Sequence, residues 1–288
     1  METTELLKKV RQIEIKTRGL SNHIFAGEYH SAFKGRGMTF AEVREYQYGD
    51  DIRNIDWNVT ARFNHPYVKI YEEERELTVM LLIDVSGSRE FGTLSKTKQD
   101  VITEMAATIA FSTIQNNDKI GVIFFSDKIE KFIPPQKGRK HVLYIIRELL
   151  NFEPESKATN IKEALRYFTN AIKKRSTAFL ISDFMDDDFK DALTIANRKH
   201  DIVALQVYDQ LETEIPAVGL IKLVDAETGS SRWVDSSDKR FQMTYKNSWL
   251  ENQLLLQQLF QKVGVDSVTV KTNEDYVKSL IKLFKLRA

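Results

Sequence analysis

The run Val79–Ile83 is the feature that most constrains how this chain can fold. Five apolar residues follow one another without a polar interruption, and Asp84 ends the run. Such a run is typical of a strand that is buried on both faces of a parallel sheet. Ser86 and Ser88 come directly afterwards, so a carboxylate and two hydroxyls lie just beyond the carboxyl end of a central strand. Open α/β sheets bind their ligands at that edge.

Downstream of this strand, apolar runs alternate with amphipathic stretches, which is the pattern of a mostly parallel α/β sheet flanked by helices. Strands are predicted at 120–125, 177–181, 202–208 and 265–270, and helices at 95–116, 139–150, 187–199 and 238–262. Another helix starts at Ile161. Hairpins are predicted at 129–133, before a break at Pro134-Pro135, and at 220–224 with 231–234, near the sheet edge. Thr272 with Asp275 resembles a capping box for a last helix.

The first part of the chain has a different character. Residues 4–17 predict an amphipathic helix, and residues 68–71 a short strand. Residues 18–66 mix charged, aromatic and turn residues without a lasting period. We interpret them as a loop-rich segment held by Arg–Asp ion pairs, from Arg36, Arg44, Arg53 and Arg62, and by aromatic packing, with a partner surface as the alternative. The predicted organisation is an N-terminal segment, 1–77, packed on or beside a main domain, 78–288.

Composition excludes several classes of function. The formal charge is +1, from 42 basic and 41 acidic residues, which argues against a nucleic-acid-binding protein. Cysteine is absent, so disulfides, thiolate metal sites and a cysteine nucleophile are excluded. Residues 1–20 lack the apolar core of a signal peptide, and no apolar run approaches the roughly 20 residues of a membrane helix. We therefore expect a cytoplasmic protein without a membrane span.

Five oxygen-bearing residues are the candidate ligands of a metal ion. Thr159 precedes a predicted helix and Asp183 follows the strand at 177–181, while Asp84, Ser86 and Ser88 follow the central strand. Because the ends of parallel strands lie at one edge, these loops are expected to converge there. Hard oxygen donors suit Mg²⁺, with Mn²⁺ and Ca²⁺ as alternatives, and do not suit zinc.

Each candidate also has a purely structural interpretation. Asp84 is a residue type common in turns and caps, and Thr159 before Asn160 is an ordinary helix start. The acidic run after Asp183, Asp186–Asp188, is interpreted as the opening of the next helix. The five histidines, at 23, 30, 65, 141 and 200, are scattered and are interpreted as structural or exposed.

At the candidate ligands the chain resembles the von Willebrand factor A-like (VWA) domains and their metal-ion-dependent adhesion site (MIDAS). The MIDAS signature is Asp-x-Ser-x-Ser with a distant Thr and a distant Asp, and here Asp84-Val-Ser-Gly-Ser88, Thr159 and Asp183 match it. The resemblance implies a Rossmann-like sheet. It also implies that the hydroxyls bind Mg²⁺ directly, that the aspartates often act through water, and that one coordination position is kept for a partner's carboxylate.

A second resemblance extends over nearly the whole chain. The bacterial family DUF58 is similar in five segments: Gly35–Met38, Glu42–Tyr46, Gly49–Trp57, Asp225–Gly229 and Thr272–Asp275. Many members carry two membrane helices before this region, and this chain resembles the short form without them. The family is commonly encoded beside MoxR-type AAA+ ATPases, which implies an adaptor that works with such an ATPase in protein maturation or complex assembly. The role of 35–57 stays open.

Two functions from different classes fit these observations. The first is a non-enzymatic, Mg²⁺-dependent protein-interaction module with no catalytic residue, in which the metal binds an acidic side chain of a partner protein. The alternative is a Mg²⁺-dependent phosphohydrolase that uses Asp84 as its nucleophile, because an apolar strand ending in Asp also begins the haloacid-dehalogenase-type phosphatases. Those enzymes have a second Asp two residues later as acid and base, and Ser86 stands at that position here.

Overall fold

The computed structural model describes residues 37–74, 77–92 and 96–287. These residues form two compact units, which meet in the sequence at Leu77 and Thr78. The helix predicted for residues 4–17 lies outside the described residues, as does Arg36. The assignment of residues 1–77 to one N-terminal segment therefore stays a prediction.

The smaller unit is built on an antiparallel pair of strands, β1 (Gly37–Glu45) and β2 (Tyr67–Glu74). A short 3₁₀ turn (Ile52–Asn54) and helix α1 (Trp57–Phe63) connect the two strands. The loop-rich interpretation was therefore wrong for β1. A register shift between Phe40 and Glu42 interrupts the alternation of period 2, and the pairing partner lies more than twenty residues away, so no local pattern shows the strand.

The Arg–Asp pairs predicted in this unit are confirmed at two positions, but they are not buried. Arg44 makes two hydrogen bonds of 2.7 and 2.8 Å to Asp50, and Arg53 lies 2.6 Å from Asp51. The Arg44 hydrogen bond is the main reason why the pKa of Asp50 lies below its usual range. The Arg53 side chain is 86% exposed. Pairs of this kind contribute little to stability because water screens them.

Two other expectations for this unit find no support. Arg62 and Trp57 are both exposed, and the Trp57 ring makes no aromatic contact with another residue in the described part of the chain. The Phe63 and Tyr67 rings do pack together, with their centroids 5.5 Å apart.

The larger unit contains a six-stranded sheet built from β3 (Thr78–Asp84), β4 (Lys119–Phe125), β5 (Ile129–Gln136), β6 (Thr177–Ser182), β7 (Asp201–Tyr208) and β10 (Asp266–Lys271). The strand order is β10-β7-β6-β3-β4-β5, and only β5 is antiparallel to its neighbour. The remaining strands, β8 (Leu220–Val224) and β9 (Ser231–Asp235), form a hairpin of their own. The predicted hairpin is therefore confirmed, but it forms a separate two-stranded sheet.

Helices flank this sheet, as the alternating pattern predicted. They are α2 (Lys98–Gln115), α3 (Arg139–Asn151), α4 (Ile161–Ala171), α5 (Lys190–Lys199), the short α6 (Gln210–Thr213), α7 (Lys239–Val263) and α8 (Tyr276–Arg287). The predicted fold class, a mostly parallel VWA-like sheet flanked by helices, is confirmed.

Strand β3 occupies the centre of the sheet, which explains its apolar run. Val79–Ile83 is fully buried, and β3 pairs in parallel with β4 on one side and with β6 on the other. Helix α4 packs Ile161, Leu165 and Phe168 into the core next to these strands. The buried apolar area holds the sheet rigid and fixes where each strand ends.

Two local expectations were wrong. The chain does not break at Pro134-Pro135, because β5 is an edge strand and its pairing with β4 passes from Ile133 to Gln136 without using the prolines. Thr272 does not cap α8: its hydroxyl donates to the Asp209 carboxylate at 2.6 Å. The Asp275 carboxylate accepts a hydrogen bond of 3.1 Å from the Val277 amide in the first turn of α8.

His200 is a buried histidine at the end of α5. Its Nδ1 lies 3.0 Å from the Ser176 hydroxyl and its ring packs on Phe168, with 4.3 Å between centroids. Burial, followed by the charges of Lys199 and Arg175, lowers the pKa of His200 to about 4. Between about pH 4 and pH 6.5 the folded protein therefore keeps His200 neutral, whereas the unfolded chain binds a proton there.

We predict that acid destabilises the protein through His200. The pKa is about 6.5 in the unfolded chain and lower in the fold, so the unfolded state binds more protons below pH 6.5. The free energy of unfolding should fall by about 2 kcal/mol between pH 7 and pH 5 from this group. Chemical denaturation at both pH values measures it. His200→Gln should lose most of this dependence and the exposed His65→Gln should retain it; equal losses in all three proteins would contradict the assignment.

Candidate metal centre

The turn after β3 holds the Asp84 carboxylate in one orientation. Its Oδ1 accepts a hydrogen bond of 2.9 Å from the Ser86 amide, and its Oδ2 accepts one of 2.7 Å from the Ser182 hydroxyl. The Ser86 and Ser88 hydroxyls lie 3.2 Å apart. Asp84 and Ser86 are buried, and Ser88 is half-buried. Three of the five predicted residues therefore form one local cluster.

Asp183 joins this cluster because β6 runs beside β3 in parallel. Ile83 pairs with Ile181, so both strands end at the same edge of the sheet. Asp183 is buried, and burial alone would raise the pKa of its carboxyl, but the nearby Lys98 ammonium and Ser88 hydroxyl outweigh burial and lower it. Burial, and then the charge of Asp183, raise the pKa of Asp84 to about 7. The two carboxylates are thus close enough to repel each other, which is unfavourable without a nearby positive charge.

Thr159 lies on a third loop, which is bonded to the Asp84 turn. The Gly87 amide donates a hydrogen bond of 3.0 Å to the carbonyl of Lys157, two residues before Thr159. The cap of α4 is Asn160, whose side chain accepts from the Glu163 amide at 2.9 Å. The alternative role of Thr159 as a helix cap is therefore wrong. Its hydroxyl oxygen is buried and has no hydrogen-bond partner among the described residues.

Gly87 allows two loops to approach the cluster. A Cβ atom at this position would lie 2.6 Å from the carbonyl oxygen of Ala226 and 3.2 Å from the Cβ of Lys157. Ala226 belongs to the turn of the β8–β9 hairpin, so this hairpin packs against the Ser86–Ser88 backbone. No sequence pattern indicated that contact, because the two segments are distant in the chain and neither carries a motif that links them.

Sequence reasoning also missed Lys98, which is 1% exposed. Its Nζ donates to the carboxylates of Asp183, at 2.8 Å, and Glu212, at 2.5 Å. Burial lowers the pKa of Lys98, but the charges of Asp183 and Glu212 outweigh burial and raise it. One signal in the sequence was available: Lys98 shares the apolar face of α2 with Ile102 and Met105, where a lysine is unusual.

The acidic run after Asp183 has a different role from the one expected. It does not open α5, which begins at Lys190 without a side-chain cap. The Asp186 carboxylate instead accepts a hydrogen bond of 2.8 Å from the Ile161 amide, at the start of α4, and Asp188 pairs with Lys162 at 2.6 Å. These residues connect two loops near Thr159.

The part of the chain that the structure describes holds no group of three or more His, Cys, Asp or Glu side chains that could bind a metal ion. The described histidines agree with the structural interpretation: His65 is exposed, His141 contacts the Ile120 carbonyl, and His200 is buried. A metal at the Asp84 cluster would therefore depend on hydroxyls as well as on two carboxylates.

None of the helices within 37–74, 77–92 and 96–287 has the length and apolar character needed to cross a membrane.

Comparisons with known proteins agree with the fold. A family model described as "Protein of unknown function DUF58" matches residues 42–254. The uncharacterized protein Rv1480 of Mycobacterium tuberculosis is 26% identical over 290 residues, covering 100% of this chain and 91% of that protein. The structure of an aerotolerance-related membrane protein from Bacteroides fragilis matches with a TM-score of 0.52 and 15% identity, covering 73% of this chain and 98% of that chain. The structure of the SpRpn10 VWA domain matches with a TM-score of 0.38 and 12% identity, covering 72% of this chain and 94% of that chain.

We predict that Gly87→Ala destabilises the larger unit. The added Cβ meets the backbone of Ala226, which cannot rotate away, so the hairpin or the Asp84 turn must shift. Overpacking of this kind costs about 1–3 kcal/mol. Thermal unfolding with a matched Gly229→Ala variant measures the effect. Gly229 lies in the same hairpin turn, where a Cβ meets nothing within 4 Å and only its φ of 69° opposes alanine. A smaller loss at Gly87 than at Gly229 would show that the close approach is not limiting.

Proposed function

This chain belongs to the DUF58 family of proteins of unknown function, and we propose that it is a non-enzymatic, Mg²⁺-dependent protein-interaction module. The observation that carries the proposal is the convergence of Asp84, Ser86, Ser88 and Asp183 at one edge of the sheet, with Thr159 on an adjoining loop. Bound Mg²⁺ would supply positive charge and an open coordination position. Mn²⁺ and Ca²⁺ fit the same donors.

The chemistry of these residues fits a hard divalent cation. All donors are carboxylate or hydroxyl oxygens, as such ions prefer. The buried Thr159 hydroxyl has no hydrogen-bond partner among the described residues, and a ligand would satisfy it. Asp84 and Asp183 are buried beside each other and repel, and a divalent cation bound between such carboxylates would offset that repulsion.

The partner of such a site would offer an acidic side chain. Thr159 also helps to line a polar groove of about 270 Å³, together with the basic Lys162 and Arg166 and the acidic Glu163, Asp186 and Asp188. The resemblance to the DUF58 family makes a MoxR-type AAA+ ATPase our preferred candidate, with a role in protein maturation or complex assembly.

The phosphohydrolase alternative gains no support from the geometry. Ser86 occupies the place of the required acid, and its hydroxyl contacts Ser88. Both oxygens of Asp84 already accept hydrogen bonds, from the Ser86 amide and the Ser182 hydroxyl. Position 86 therefore offers no carboxylic acid to protonate a leaving group, and both oxygens of the would-be nucleophile are engaged in hydrogen bonds.

We expect Mg²⁺ to stabilise the protein through Asp84. A ligand that binds only the folded state adds about 2.7 kcal/mol when its free concentration is about a hundred times Kd. Thermal unfolding with and without EDTA should show this gain in the wild type and in Asp188→Ala, which removes an exposed carboxylate outside the cluster. Asp84→Asn should fold but gain nothing from Mg²⁺. An equal gain in Asp84→Asn would refute the assigned site.

We also expect partner binding to depend on the metal. A pull-down with the MoxR-type ATPase of the same organism should succeed in Mg²⁺ and fail in EDTA or with Asp84→Asn, while Glu251→Ala, which removes an exposed carboxylate on α7, behaves as the wild type. A screen of phosphate esters with Mg²⁺ provides the opposing test. Turnover that Asp84→Asn abolishes would favour the enzyme over the interaction module.

A further inference from the structure

Lys98 is a buried cation in contact with one of the proposed metal ligands. It is the first residue of α2, where the helix dipole disfavours positive charge, and its side chain is 1% exposed. A lysine tolerates such a place only when carboxylates compensate its charge. Asp183, in the loop after β6, and Glu212, in the short helix α6, provide that compensation.

Glu212 is itself held in place, so the ammonium group cannot easily move away from Asp183. The Glu212 carboxylate accepts a hydrogen bond of 2.8 Å from the Asp209 amide in a capping box at the start of α6. The Asp209 carboxylate in turn accepts the Thr272 hydroxyl. A chain of hydrogen bonds therefore runs from Thr272, just after β10, through Asp209 and Glu212 to Lys98. Lys98 in turn contacts Asp183 of the Asp84 cluster.

Lys98 has two opposite effects on a cation at the Asp84 cluster. It orients Asp183 by occupying one carboxylate oxygen, Oδ2, while Oδ1 accepts the Met185 amide at 3.3 Å. Its positive charge would also repel a cation bound by Asp183, because buried surroundings screen charges weakly. We expect this repulsion to lower the metal affinity by more than the orientation of Asp183 raises it.

From this geometry we infer that Lys98 is a positioning residue that weakens the cation site, so that the metal binds reversibly and Glu212 sets how strongly Lys98 acts. The inference rests on the proposed metal site. It assigns a specific role to two residues outside the MIDAS pattern. Loss of the Lys98 charge should tighten metal binding, and loss of the Glu212 charge should weaken it, because the ammonium then acts on the site without its second counter-ion.

The test is calorimetric titration of the full chain with magnesium chloride. Lys98→Met, which keeps the length and apolar stem of the side chain, should bind Mg²⁺ roughly tenfold more tightly than the wild type. Glu212→Gln should bind it roughly threefold or more weakly. Lys131→Met is the matched control, since Lys131 pairs with Glu148 at 2.6 Å on the edge strand and should leave the affinity unchanged. A merely structural role would weaken binding in both variants.

The outcomes separate this inference from the metal proposal. If the wild type binds Mg²⁺ but the two variants do not change its affinity in opposite directions, the role of Lys98 is refuted and the metal site stands. If the wild type and both variants fail to bind Mg²⁺, the metal site and the inference fall together. Should Lys98→Met not fold, Glu212→Gln decides alone: weaker binding supports the inference, and unchanged or tighter binding overturns it.

Discussion

The parallel pairing of β3 with β6 is the constraint on which the rest of the larger unit depends. Each strand is buried on both faces, so neither can slip without exposing apolar side chains. Their register therefore fixes Asp84 and Asp183 side by side at one edge. Two like charges at a buried site destabilise the folded state. The arrangement persists because burial of the whole sheet stabilises the fold by more than this local repulsion destabilises it.

The surroundings of the two aspartates reduce this repulsion without removing it. Hydroxyl and amide donors satisfy the carboxylate oxygens, and Lys98 adds one positive charge. The remaining imbalance is visible in the raised pKa of Asp84, which burial and the neighbouring carboxylate cause together. The cation proposed for this site would offset the repulsion that remains between the two carboxylates.

The sequence predicted the fold and the Asp84 turn because both depend on local patterns. An apolar run marks each buried strand, and the spacing of Asp84, Ser86 and Ser88 is short. Features that depend on contacts between distant segments were missed. Strand β1 carries a bulge, Thr272 bonds to Asp209 instead of capping α8, and Asp186 supports α4 instead of α5. Whether the five predicted residues bind a metal stays a prediction, although the structure brings four of them into one cluster.

The close approach at Gly87 determines what a partner of this edge would meet. Because the Gly87 backbone contacts Ala226, the turn of the β8–β9 hairpin forms part of the rim around the Asp84 cluster. The hairpin also carries exposed apolar side chains, including Leu220 and Trp233. The carboxylates and hydroxyls of the Asp84 cluster would contact only the acidic group of a partner. The cluster alone would therefore not distinguish one acidic partner from another. If the proposed function holds, selectivity would come from the surrounding loops, among them the hairpin turn that packs on the Gly87 backbone.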